Sequence, residues 1–125
     1  MDRITISADS SADDLASLAL CIHALTGGLP VTARSMNRPG VQVEDGQVRS
    51  RSYTGPILEQ VLAEGRVIKG RPPAGAYKGI PVIVAPIKAD GKTVVAIGVV
   101  DTTGSMEIKA LMDQYAAIHR QVNGH

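Results

Sequence analysis

Aromatic side chains are nearly missing from this chain: its 125 residues hold three tyrosines and no phenylalanine or tryptophan. A core must therefore be built from Val, Ile, Leu and Ala, and the stacking platforms on which single-stranded nucleic acids lie are scarce. There is a single cysteine, Cys21, which excludes an internal disulfide framework and a four-cysteine zinc site. Long apolar runs are also lacking. Ile80–Ile87 and Val94–Val100 reach only about eight residues, where a membrane helix needs about 20. The formal net charge is +1, which excludes an acidic tail or a general basic coat for nucleic acid. The opening residues, MDRITISADSSADD, are acidic and polar and do not read as a signal peptide. These absences point to a soluble cytoplasmic protein with no membrane association.

What is present suits one domain spanning residues 1–125, with a radius of gyration of roughly 14 Å. A chain of this length buries about two-thirds of its unfolded surface, enough to fold without a metal or disulfide. Ala12–Leu25 reads as a helix, capped by Ser10 or Ser11, with Asp13 and Asp14 in the turn that the helix dipole makes favourable to anions. Leu15, Leu18, Ile22 and Leu25 supply its apolar stripe, and Gly27–Gly28 stop it. A strand follows over Leu29–Ser35. Val41, Val43 and Val48 then alternate around Asp45–Gly46, a pair suited to a type I′ turn. Thr54–Gly55–Pro56 opens a second helix with Pro at its first position; Ile57, Leu58, Val61 and Leu62 form its stripe and Gly65 ends it. Arg66–Lys69 is a short strand. After a Pro- and Gly-rich loop, Gly70–Gly79, come two Val/Ile-rich strands, Gly79–Lys88 and Thr93–Asp101, joined through Ala89–Lys92. A terminal helix is expected from Ser105 to about Val122. The order α–β–β–α–β–β–β–α makes an α+β domain: a five-stranded antiparallel sheet flanked by helices, with the end helices able to share one face.

Two stretches resemble GAF domains. Thr54–Gly70, TGPILEQVLAEGRVIKG, is similar to their helix–Gly–strand passage, and Ile80–Gly98, IPVIVAPIKADGKTVVAIG, to their central hairpin. The resemblance implies a GAF/profilin-like fold. The roadblock/longin-like group has nearly the same element order and stands as the alternative, with a dimeric scaffold in place of a ligand pocket. The whole chain also resembles an uncharacterised archaeal family of small stand-alone proteins, largely from methanogens, through LTGGLPVTARSMNRPG and VVDTTG. That family brings no activity with it.

Chemistry-bearing motifs are incomplete. Gly91–Lys92–Thr93 ends like a phosphate loop, but Pro86 stands where the required glycine belongs. Asp101–Thr102–Thr103–Gly104 resembles the Asp–Thr–Gly turn of dimeric aspartic proteases with an extra threonine breaking it. Cys21 and His23 are two apart on a helix, so their side chains diverge by about 200° and cannot chelate together. No nucleophile has an identifiable base, so no catalytic residue, metal or cofactor is assigned.

Charge distribution is more informative. Residues 34–92 carry +5, against −3 before them and −1 after. Arginine grips carboxylate or phosphate through a bidentate fork, although basic residues on exposed strand edges also merely discourage aggregation. Arg34, Ser35, Asn37 and Arg38 concentrate donors beside a turn, and Arg51, Ser52, Tyr53 and Thr54 do so at a helix N-terminus, a natural anion site. With Tyr77 in the long loop, and Asp101 and Thr102 at a strand end, these form the candidate ligand contacts. The expected pocket lies between the sheet and the loops Ser35–Gly40 and Gly70–Gly79. The expectation is a regulatory or sensory domain for a small anionic metabolite or nucleotide, acting as a homodimer through its terminal helices. The alternative is a protein–protein interaction module without a pocket, which would leave an apolar helix face exposed.

Overall fold

The computed structural model describes residues 2–102. Its elements run α1 (Ala12–Leu25), β1 (Val31–Ser35), β2 (Gly40–Glu44), β3 (Gln47–Tyr53), α2 (Pro56–Glu64), β4 (Ile68–Gly70), β5 (Val82–Ala89) and β6 (Lys92–Val100). The terminal helix expected from Ser105 lies outside the described residues, as do Thr103 and Gly104 of the Asp–Thr–Thr–Gly turn.

The strands form an antiparallel sheet in the order β3-β2-β1-β6-β5-β4. This is α+β as expected, but the sheet has six strands where five were expected. The extra strand comes from residues 36–39, which separate β1 from β2, while the Asp45–Gly46 turn folds β3 back on β2 as expected. Both residues of that turn, and both of Asp90–Gly91, have positive φ, the requirement of a type I′ hairpin whose twist matches its strands. Gly40 has another reason: a Cβ there would stand 1.7 Å from the Ala33 carbonyl oxygen on β1.

The two helices cover opposite faces. On β6, Val95 joins Val31, Ala33, Val41 and Val43 under α1, while its neighbour Ala96 and Val100 join Val82 and Val84 under α2; successive strand residues point to opposite sides. Helix α1 packs on the β1–β3 half and α2 on the β4–β6 half of the other face. Of the two serines expected to cap α1, Ser11 does so, and it forms a capping box in which Ser11 and Asp14 are bonded reciprocally.

The stripe that α1 buries differs from the leucine stripe expected. Ala12, Leu15, Ala16, Ala19 and His23 face the sheet, Leu18 and Ile22 are half-buried, and Leu25 is 80% exposed. Small residues allow the helix to sit close to the valine surface, and that close approach turns Leu25 outward.

Candidate functional site

An open cleft, about 290 Å³ of free space with the solvent at its mouth included, lies on the α2 face, where α2, the loop 71–81 and the sheet meet. Thr32, Gly98, Val82, Val84 and Val100 make its floor. Tyr53, Tyr77 and Pro72 form one wall, and Gly55–Leu58 the other. Gly98 keeps the floor flat, since a Cβ there would meet Val84 Cγ2 at 2.8 Å and Thr32 Oγ1 at 3.3 Å.

The N-terminus of α2 opens onto this cleft. Its N-cap is Gly55, which has no side chain to bond the first-turn amides, and Pro56 follows at the first position. The amides of Ile57 and Leu58 are thus left without a side-chain cap at the positive end of the helix dipole. At the other end of α2, Gly65 in the left-handed region closes the helix, as its sequence signature predicts.

The tyrosines are a pair, with ring centroids 6.4 Å apart and planes tilted by 49°. Tyr77 is buried, and its hydroxyl accepts from Gln42 Nε2 at 2.8 Å and donates to Glu44 Oε2 at 3.0 Å. Burial, first of all, raises its ionisation above the ordinary tyrosine value, with the Glu44 carboxylate adding to the rise and the Gln42 bond opposing it. Burial raises Tyr53 as well. Both hydroxyls stay protonated at physiological pH.

Of the residues singled out from sequence, only Tyr53 and Tyr77 line the cleft. Arg34 spends its guanidinium elsewhere: Nε donates to the Ser35 carbonyl at 3.0 Å, Nη2 to that of Met36 at 3.3 Å, and Nη1 pairs with Glu59 at 3.4 Å. Ser35 is fully buried, and its Oγ accepts from the Arg38 amide. Asn37 ties the same turn to Asp9 and to the Ala8 carbonyl. Arg51 pairs with Asp13 on α1, across the sheet from the cleft. Asp101 is buried at the end of β6, its amide bonded to the Pro81 carbonyl and its Oδ1 without a protein partner among the described residues; Thr102 beside it is exposed. The turn 35–40, expected to wall the pocket, does not border the cleft. Arg49 and Arg66 are likewise paired, with Asp45 and Glu64. The basic excess of the middle segment is thus spread over both faces.

Sequence reasoning missed Thr32, Gln42, Glu44 and Gly98. Their signal was faint: polar or glycine residues at alternate positions in otherwise apolar strands. Among the described residues, no group of three or more His, Cys, Asp or Glu could hold a metal ion, and no helix is long and apolar enough to cross a membrane.

A family model described as "uncharacterized protein conserved in archaea (DUF2111)" matches residues 22–103. The chain is 45% identical over 103 residues to uncharacterized protein MJ0405 of Methanocaldococcus jannaschii, a match covering 82% of this chain and 79% of that relative. No solved structure matches.

Proposed function

Since the chain belongs to this archaeal family (DUF2111), whose name carries no chemistry, we propose from the cleft itself that it is a regulatory small-molecule-binding domain with a GAF-like arrangement. The ligand's anionic group, a carboxylate or phosphate, sits at the N-terminus of α2, and its body lies against Tyr53 and Tyr77. The observation that carries this reading is an uncapped helix N-terminus opening into a cleft whose facing wall holds two tyrosines. Backbone amides at such an end bind anions without any basic side chain, so the reading does not need the arginines. A cytoplasmic setting for a soluble metabolite is part of the proposal.

Titration with inorganic phosphate and with a ring-bearing monophosphate, followed by amide NMR, tests it. The amides of Ile57 and Leu58 shift first, and the ring-bearing compound also perturbs the Tyr53 and Tyr77 rings. Unmoved Ile57 and Leu58 amides at millimolar concentrations of both compounds sink the proposal.

The interaction-module reading, roadblock-like in kind, has its own support. The outer side of α1 carries exposed Cys21 and Leu25 beside half-buried Leu18 and Ile22, an apolar stripe of the kind a homodimer covers. Sedimentation of the native chain and of Leu25→Lys distinguishes the two: a dimer lost on substitution favours self-association through α1, and a monomer in both removes it.

A further inference from the structure

Residues 71–81, between β4 and β5, are a strap whose hydrogen bonds close on themselves. Arg71 Nη1 donates to the Gly79 carbonyl at 2.8 Å and the Gly79 amide to the Pro72 carbonyl at 2.9 Å. Inside the loop, Ile80 N–H reaches the Tyr77 carbonyl at 3.0 Å and Lys78 N–H that of Gly75 at 3.3 Å. A surface loop with joined ends and internal bonds is a compact unit of the Ω type. Its base is held by Asp101 N–H on the Pro81 carbonyl. Residues 73–76 are exposed, and Pro72 and Tyr77 are the side chains it buries.

Beyond that base, and among the described residues, the strap's hydrogen bonds to the rest of the fold converge on one atom, the Tyr77 hydroxyl. It bridges Gln42 and Glu44 on β2. The same tyrosine and Pro72 are a wall of the cleft. We infer that the strap is a gate over the cleft and that the Tyr77 hydroxyl is its latch. This inference rests on the binding proposal above for its purpose, though not for its motion.

The chemistry suits a releasable catch. A phenol held by one amide donor and one carboxylate acceptor is a charge-assisted arrangement, yet the net worth of such bonds is small because water replaces them on opening. Swinging the strap outward removes the Tyr77 and Pro72 wall and exposes Tyr53, Thr32 and the valines of the floor. The cleft, already open to solvent at its mouth, then widens over its floor of Val82, Val84 and Val100.

The test needs no ligand. The full-length chain, with its valine methyls labelled, is exposed to a neutral soluble paramagnetic agent, and the broadening of Val82, Val84 and Val100 is compared with that of Val41 and Val95 under α1. Tyr77→Phe keeps the ring and removes the latch, and Glu44→Leu removes the acceptor from the other side. In either variant the cleft valines broaden about fivefold more than in the parent protein, while Val41 and Val95 are unchanged. Equal broadening of the cleft valines in parent and variants overturns the gate, and so does a rise shared by Val41 and Val95, which reports general loosening. The phosphate titration reads the binding proposal separately. A gate that opens over a cleft taking no phosphate leaves the latch standing and removes the anion reading; phosphate binding with unchanged broadening does the reverse.

Discussion

The Nε2 atom of His23, on α1, accepts a 2.9 Å hydrogen bond from the amide of Gly46, in the turn between β2 and β3. Its other ring nitrogen, Nδ1, donates to the Leu29 carbonyl at 2.6 Å. The imidazole is buried, its bond to Leu29 lies in the interior while the one to Gly46 is part-buried at an exposed turn, and the neutral ring with its proton on Nδ1 satisfies both partners. One side chain thus pins the helix to the chain entering β1 and to the tip of the edge hairpin. His23, whose spacing from Cys21 excludes joint chelation, is a brace.

Replacing His23 with Ala orphans a buried carbonyl and leaves the Gly46 amide without its acceptor. The buried carbonyl costs about 1–3 kcal/mol and the Gly46 amide, at an exposed turn that water reaches, costs less, so His23→Ala loses about 2 kcal/mol in urea denaturation with the slope little changed. Cys21→Ser, two residues away and exposed, stays within about 0.5 kcal/mol of the parent. A His23→Ala protein as stable as the parent contradicts the brace.

The inner stripe of α1 makes an asymmetric prediction. Ala19 is fully buried against the sheet, so Ala19→Leu overpacks that contact and costs about 1–3 kcal/mol. Leu25→Ala, at an exposed position, changes stability by less than about 0.5 kcal/mol. The leucine stripe read from sequence demands the opposite order, and thermal melts of the two variants decide between them.

Two glycines separate crowding from backbone strain. Gly40→Ala drives a methyl into the Ala33 carbonyl on a neighbouring strand, where only main-chain movement gives relief, and costs about 2 kcal/mol or more. Gly27→Ala meets open space but must hold φ at +77°, which costs about 1 kcal/mol. Denaturant midpoints falling in the reverse order refute the close approach of β1 and β2.

Alkali tests the tyrosine wall. Burial raises the ionisation of Tyr77 and Tyr53 above the ordinary value. Between the unfolded value, about 10, and the raised folded one, the native state binds more protons than the unfolded chain. The associated stability is therefore complete below about pH 10 and is lost as pH climbs towards the folded value. Spectrophotometric titration finds tyrosinate appearing together with unfolding, and Tyr77→Phe removes the latest-ionising group. Two described tyrosines that ionise near pH 10 in the folded protein contradict the burial.

Much of this architecture was legible because its signals are local. Ser11 with Asp14 caps α1, Pro56 and Gly65 bound α2, and Asp–Gly at 45–46 and 90–91 turns two hairpins. In each, a residue acts on backbone groups within a few positions of itself. The end of a strand at Ser35 was legible, but not whether Ser35–Gly40 leads into one long strand or two, since Ser35 and Asn37 build the turn with bonds to the Arg38 amide and to Asp9 near the start of the chain.

The candidate site was legible only in part for a related reason. Tyr53 drew notice at a helix N-terminus read as an anion site and Tyr77 in the long loop, but nothing local ties Tyr77 to Gln42 and Glu44, more than 30 residues earlier. Arginine count misled, because a long cation finds whichever carboxylate the fold brings near: Glu59 for Arg34, Asp13 for Arg51.

Composition, capping and turn chemistry were sufficient for an aliphatic α+β protein with an antiparallel sheet. Which side of the sheet each helix covers, which face of α1 turns inward, and which polar groups meet at the cleft were settled only by packing. A helix stripe or strand alternation specifies that one side is buried, but not what covers it. That choice depends on the shapes and volumes of segments distant in the chain, which come together only when the sheet has formed.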